Sequence, residues 1–164
     1  MYERILVPVD GSGTSTQVLG EALRLARLTG ATLKILHVVD AMSYATGFET
    51  YAAYTDELLP AMRANGQKIL ADAGAIAEQQ GARFVCELKE VLGRRVADVV
   101  VEQASEWKAD LIVIGTHGRR GANRLFLGSD AEQIARISPA PVLLVRARGS
   151  AVHPGAPRED AVAA

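Results

Sequence analysis

Short apolar runs alternate with stretches whose apolar residues recur at helical spacing, and the alternation carries through most of the chain. Ile5-Leu-Val-Pro-Val9 and Leu111-Ile-Val-Ile114 are apolar without a break, the pattern of strands buried on both faces of a parallel sheet. Leu33-Lys-Ile-Leu-His-Val-Val39 and Val142-Leu-Leu-Val145 read the same way. Arg83-Phe-Val-Cys-Glu-Leu-Lys89 alternates instead, with Phe84, Cys86 and Leu88 on one side, which predicts an edge strand with one face partly wet. The first amphipathic pattern between these runs carries Val18, Leu19, Ala22, Leu23 and Ala26, and stops at Gly30, a residue suited to a left-handed cap. The second carries Leu58, Met62, Ile69, Ala73 and Ile76 and stops at Gly81. The third carries Val96, Val99, Val100, Ala104 and Trp107. The fourth, with Ala131, Ile134, Ala135 and Ile137, ends before Pro139 and Pro141.

Strands and helices in β-α-β order predict an α/β sandwich with right-handed crossovers. In such sheets ligands sit beyond the carboxyl ends of the strands, where strand order reverses. Asp10 ends the first strand and Gly115 the fourth, so the two face one crevice if those strands are neighbours. The segment from Ala41 to Thr55, with three tyrosines and Phe48, has no clear period and is expected to act as a lid. No internal repeat or second domain is visible. Residues 1–147 form the predicted domain, and residues 148–164, rich in Ala, Pro and charge, a disordered tail.

Composition narrows the class without naming it. A chain of 164 residues, 49% hydrophobic and 23% charged, suits one soluble domain with a sizeable core. A formal net charge of −1 argues against a broad nucleic-acid or membrane face. The single cysteine, Cys86, cannot form an internal disulfide, and no signal segment or membrane-length apolar run is present. The expected location is the cytoplasm.

Against that neutral background, Gly115-Thr-His-Gly118-Arg-Arg-Gly-Ala-Asn-Arg-Leu-Phe-Leu-Gly128-Ser129 is locally basic, with His117, Arg119, Arg120 and Arg124 and no acidic residue. Glycines just past a strand let backbone amides approach a ligand closely, and the helix start at Ser129 adds unpaired N–H donors and partial positive charge. The stretch reads as a phosphate cradle, a role compatible with Ser129 also serving as a plain N-cap. Gly11, Gly13 and Thr16 nearly match a dinucleotide fingerprint, with Asp40 in the place of its ribose-binding acid. The third position is nevertheless Thr, Asp10 would repel a pyrophosphate there, and no residues remain for a substrate domain. Asp10 itself reads either as a turn or cap residue, or as an acceptor for ribose or base or a Mg²⁺ ligand near phosphates. His37, within an apolar strand, reads as a satisfied core histidine, and Cys86 as a small core residue on an edge strand. His117 is as well explained by solvated surface as by phosphate contact, and His153 belongs to the tail. Ser129, His117 and Asp10 supply the residue types of a nucleophilic triad, yet no Gly-x-Ser-x-Gly elbow surrounds Ser129 and no Walker lysine exists. Binding is supported and efficient catalysis is not.

These segments together resemble the universal stress protein family. The opening Tyr2-Glu-Arg-Ile-Leu-Val-Pro-Val-Asp10-Gly-Ser12 is similar to the family's start, Leu36-His-Val-Val39 to its second strand, and Ala109-Asp-Leu-Ile-Val-Ile-Gly115 to its fourth. Gly115-x2-Gly118-x9-Gly128-Ser129 matches the spacing of the ATP-binding branch, and Pro141-Val-Leu-Leu-Val145 resembles the last strand. The resemblance implies a Rossmann-like, adenine nucleotide alpha hydrolase-like fold: one five-stranded parallel sheet in order 3-2-1-4-5 with helices on both faces. It also implies a homodimer through the last strand, Val142 to Arg146. By the same resemblance Asp10 and backbone near Val38 hold adenosine, while Gly115, Gly118, Gly128 and Ser129 wrap the phosphates. Pro8, Val9 and Ile114 line the crevice, and Arg119 joins from the basic loop. One departure stands out: Asp130 occupies a place where ATP-binding relatives often carry a small apolar residue, and a carboxylate beside a triphosphate repels it. Asp130 can turn towards the helix dipole, or Asp130 or Asp10 can hold a bridging Mg²⁺. The implied function is that of an ATP-binding stress-response protein using nucleotide as ligand or slow substrate. The alternatives are a nucleotide-independent interaction module and a slow phosphohydrolase.

Overall fold

β1 (Arg4–Pro8) runs through the middle of a parallel sheet in the order β3-β2-β1-β4-β5. The computed structural model describes residues 1–40, 58–116 and 127–146. β2 (Thr32–Asp40) pairs with β1 from Arg4↔Thr32 to Pro8↔Leu36, and β3 (Arg83–Val91) pairs with β2 along its whole length. On the other side β4 (Leu111–Gly115) pairs with β1, and β5 (Val142–Val145) with β4. The chain moves outward one way from β1 to β2 and β3, then returns to the opposite side of β1 at β4. The β1–β4 boundary is therefore the point where strand order reverses.

Strand alternation divides the core into two layers. Ile5, Val7, Leu33, Ile35, Leu111 and Val113 face α1 (Gly13–Thr29) and α2 (Leu59–Gln79). Leu6, Leu36 and Ile112 face α3 (Val96–Glu106) and α4 (Ser129–Ile137). All of these except Leu111, which is nearly buried, are fully buried, and each such side chain stabilises the fold by roughly 1.5–3 kcal/mol relative to exposure. The apolar stripe foreseen for α1 is its buried face, and the helix ends at Gly30 with φ 75°, as its left-handed cap requires. α2 ends beside Gly81 at φ 65°. α3 has no glycine at its end, and Lys108 takes the left-handed conformation there at φ 54°.

Three expectations are corrected. β5 is not buried on both faces: it is an edge strand, with Leu143 39% and Leu144 38% exposed. Ile137 lies outside the buried stripe of α4, which consists of Ala131 and Ile134, and is itself exposed. Cys86 is not a core residue: it is exposed on β3, its thiol directed at the Leu70 carbonyl, and partial burial pushes that thiol up, away from the reactive thiolate. Phe84 and Leu88 of the same strand do pack against the core under α2. The lid expected at residues 41–55 and the tail at 148–164 lie outside the described residues.

A polar cluster sits on the α3 side of the sheet. Buried Lys34 donates to Gln103 Oε1 at 2.9 Å, pairs with Glu87, and lies 5.8 Å from the centre of the Trp107 ring. Burial alone would raise the Glu87 carboxyl, but hydrogen bonds from Lys34 and Lys89 outweigh it and hold the group below its ordinary range.

Candidate functional site

A cavity of about 650 Å³ opens at the carboxyl ends of β1, β2 and β4, where strand order reverses. That is where the general rule for open α/β sheets puts a ligand, and the volume suits one of mononucleotide size. Pro8, Val9 and Asp10 line it from β1, Val38 from β2, and Ile114 and Gly115 from β4. Gly128, Ser129 and Asp130 line it from the start of α4. Gly118 and Arg119, with the other basic residues of the same loop, lie outside the described residues. Every candidate site residue that is described thus borders a single cavity.

Two of the helix amino ends at the cavity, those of α1 and α4, differ in what they offer. At α1 the Ser15 amide is already engaged. Ser12 is the N-cap, its Oγ accepting from the Ser15 amide at 3.1 Å, while the Ser12 amide donates to Asp10 Oδ1 at 2.9 Å. Gly11, at φ 79°, supplies the bend between them. A turn capped by its own serine with a carboxylate at its mouth is a poor seat for pyrophosphate, which weighs against the dinucleotide-fingerprint reading. It also gives Asp10 a real turn role without taking it out of the cavity.

At α4 the situation is the reverse. Gly128, not Ser129, is the N-cap, and it brings no side-chain cap. The first helical bond runs from the Glu132 amide to the Gly128 carbonyl at 2.9 Å. Helix geometry therefore leaves the N–H groups of Ser129 and Ala131 without an intrahelical acceptor, and both residues border the cavity. The Gly128 amide is not part of this donor set, because it donates to the Thr116 carbonyl at 2.8 Å. Thr116 in turn donates to the Val145 carbonyl at 3.0 Å, so the two ends of the glycine-rich stretch are tied together at the edge of β4 and β5. Of the glycine-rich stretch, the described part that borders the cavity is Gly115, Gly128 and the first turn of α4. Asp130 and Glu132 stand in that turn, where a carboxylate complements the helix dipole.

The cavity contains contributors that sequence reasoning missed. α2 brings Met62 and Asn65 to its wall, and α3 brings Val96 and Val100. Val96 and Val100 had been read only as core, and nothing in a helical repeat says which end of a buried stripe will face a ligand. Asp40, considered only in the rejected fingerprint, also borders the cavity. His37 is buried as expected, with Nδ1 2.7 Å from the Val9 carbonyl, yet it too forms part of the wall. Among the described residues no cluster of His, Cys, Asp or Glu is arranged to hold a metal ion, and no helix is long and apolar enough to cross a membrane.

The chain resembles known proteins over nearly all of its described length. It matches the family model described as "Universal stress protein family" across residues 1–146. A universal stress protein of Methanocaldococcus jannaschii is 32% identical over 146 residues, which is 89% of this chain and 83% of that protein. The crystal structure of a universal stress protein in complex with cAMP superposes with TM-score 0.63 at 29% identity, covering 88% of this chain and 97% of the other. A universal stress protein from Archaeoglobus fulgidus in complex with dAMP superposes with TM-score 0.61 at 25% identity, covering 87% and 97%. With its sheet order, its cavity at the strand reversal and these likenesses in agreement, the chain belongs to the universal stress protein family.

Proposed function

We propose that this protein binds ATP as a regulatory ligand, in a cytoplasmic homodimer that takes part in a stress response. The observation that carries the reading is the joint placement of Asp10, Val38, Gly115 and the uncapped α4 terminus around one cavity at the strand reversal. An apolar floor of Val38, Val96, Val100 and Ile114 suits a purine, and Asp10 is an acceptor for ribose hydroxyls. The α4 amides suit phosphate oxygens. Relatives solved with cAMP and dAMP support an adenine nucleotide as the ligand class. Arg119 and its basic neighbours, next to Thr116 in the chain, add charge of the sign a triphosphate needs. Mg²⁺ enters as the counter-ion of the nucleotide, with Asp10 or Asp130 within the cavity as its protein ligand.

Calorimetric titration with ATP, AMP and cAMP, each with and without Mg²⁺, tests the reading. Saturable binding of ATP that Asp10→Ala weakens is the expected result. Absence of binding at millimolar ATP would leave a nucleotide-independent interaction module as the better account. The protein holds ATP without efficient turnover, and hydrolysis above background that vanishes in Ser129→Ala at intact affinity would make it a slow phosphohydrolase instead.

A further inference from the structure

We propose that His37 is a positioning residue for the ligand cavity, fixing the peptide that leaves β1 so that Asp10 is presented to the ligand. The proposal rests on the nucleotide reading of that cavity and deepens it. His37 points to the α1–α2 side of β2, in alternation with Leu33 and Ile35, and is only 6% exposed. A polar ring in that setting is tolerated when it is hydrogen-bonded. Its partner is the Val9 carbonyl at 2.7 Å, and because a carbonyl only accepts, Nδ1 carries the proton.

Val9 is the residue just past the end of β1. Its amide donates to the Leu36 carbonyl at 2.8 Å, so main chain holds one side of the residue and the imidazole holds the other. The Val9 carbonyl and the Asp10 amide share one rigid peptide plane. Fixing that carbonyl therefore sets the direction in which Asp10 leaves the strand. Asp10 Oδ1 then receives the Ser12 amide at 2.9 Å, which closes the turn into α1.

The imidazole is itself clamped from the far side. α2 approaches the sheet most closely at buried Gly66. A Cβ there would lie 2.8 Å from Leu88 Cδ1, 2.9 Å from His37 Cδ2 and 3.1 Å from Val39 Cγ2. Leu88 can rotate out of the way, but the ring of His37 is held by its bond to Val9. The absence of a side chain at position 66 thus lets the helix press on the imidazole edge and bring Met62 and Asn65 to the cavity wall. A contact between a helix and a strand is in this way transmitted to the geometry of Asp10.

The test compares His37→Phe, which keeps the ring but loses the donor, with His37→Asn, which keeps a side-chain N–H near the place of Nδ1. Gly66→Ala, which displaces the ring without touching it chemically, is the third variant. Amide signals of Asp10 to Ser12 in the ligand-free full chain are read by NMR, and AMP affinity by calorimetry. In His37→Phe those signals are expected to shift and AMP affinity to fall about tenfold, with His37→Asn restoring most of it and Gly66→Ala between the two. Unmoved signals with wild-type affinity in His37→Phe, or an Asn variant no better than Phe, would overturn the proposal. Should His37→Phe fail to fold, Gly66→Ala decides: shifted signals support positioning, and wild-type signals overturn it. If the wild type binds no adenine nucleotide, the functional reading falls, while the signals of the ligand-free variants still decide the role of His37.

Discussion

Asp130 stands in the first turn of α4, where its carboxylate gains from the helix dipole and at the same time borders the cavity that the α4 amides open onto. The two effects oppose each other once a phosphate arrives. At close range the repulsion between unit charges in water is about 1 kcal/mol, and the loss of a dipole contact costs roughly 0.3–1 kcal/mol of stability. Asp130→Asn should therefore tighten metal-free ATP binding about fivefold while lowering thermal stability slightly, and Mg²⁺ should shrink the gain. Weaker metal-free binding in the variant would mean that the carboxylate assists the nucleotide. The residue scale is also where sequence reasoning was least complete. Asp10, Gly115, Gly128 and Ser129 were legible as cavity residues because they stand at strand and helix ends where a parallel sheet opens a crevice. Met62, Asn65, Val96 and Val100 were not, because their residue types fit an ordinary amphipathic helix equally well.

Helix ends illustrate how one local rule is obeyed in two places and broken in a third. Gly30 and Gly81 take positive φ after α1 and α2, whereas Lys108 does so after α3. A side chain in this conformation is strained, by roughly 1–2 kcal/mol, and no neighbour lies within 4 Å of a Cβ built on Gly81. Gly81→Ala should then destabilise the protein by about 1 kcal/mol through backbone strain alone, and Lys108→Gly should relieve a similar amount. Equal melting temperatures for the two variants in scanning calorimetry would contradict this account. At the scale of strands, β5 has an edge unpaired among the described residues, together with half-exposed Leu143 and Leu144, and such an edge invites pairing with a second chain. The proposed homodimer should dissociate in Leu143→Lys, as read by light scattering at micromolar concentration. A monomeric wild type under those conditions would remove the dimer from the proposal.

For the molecule as a whole, acid stability follows from carboxylates held below their ordinary range. Glu90 is lowered by its hydrogen bonds from Arg63, at 2.5 and 2.8 Å, and Glu87 by Lys34 and Lys89 despite its burial. A carboxyl with a depressed folded value stabilises the native state above its unfolded value and loses that contribution as pH falls through the folded one. Stability should accordingly be full at neutral pH and decline below about pH 4.5, the ordinary value for these groups. Glu87→Gln should flatten that decline. It should also lower neutral stability, because buried Lys34 keeps Gln103 but loses its counter-charge. Denaturant titrations across pH check both halves, and an unchanged acid limb in the variant would remove Glu87 from the explanation.

What the sequence determined by itself was the set of elements and their class. Continuous apolar runs at β1 and β4 are satisfied by burial on both faces, and the helical stripes between the strands by burial against the sheet. The family resemblance also implied the strand order that the structure adopts. Tertiary structure alone decided which donors remain open. Whether the Gly128 amide faces a ligand or the Thr116 carbonyl, and whether the end of α1 is closed by Ser12, depends on where segments distant in sequence meet. The same holds for His37, whose bond to Val9 joins residues on neighbouring strands, and for Gly66, whose missing side chain matters only once α2 has docked. Local pattern encodes what each segment must bury, while the fate of individual polar groups is fixed by the neighbours that packing supplies.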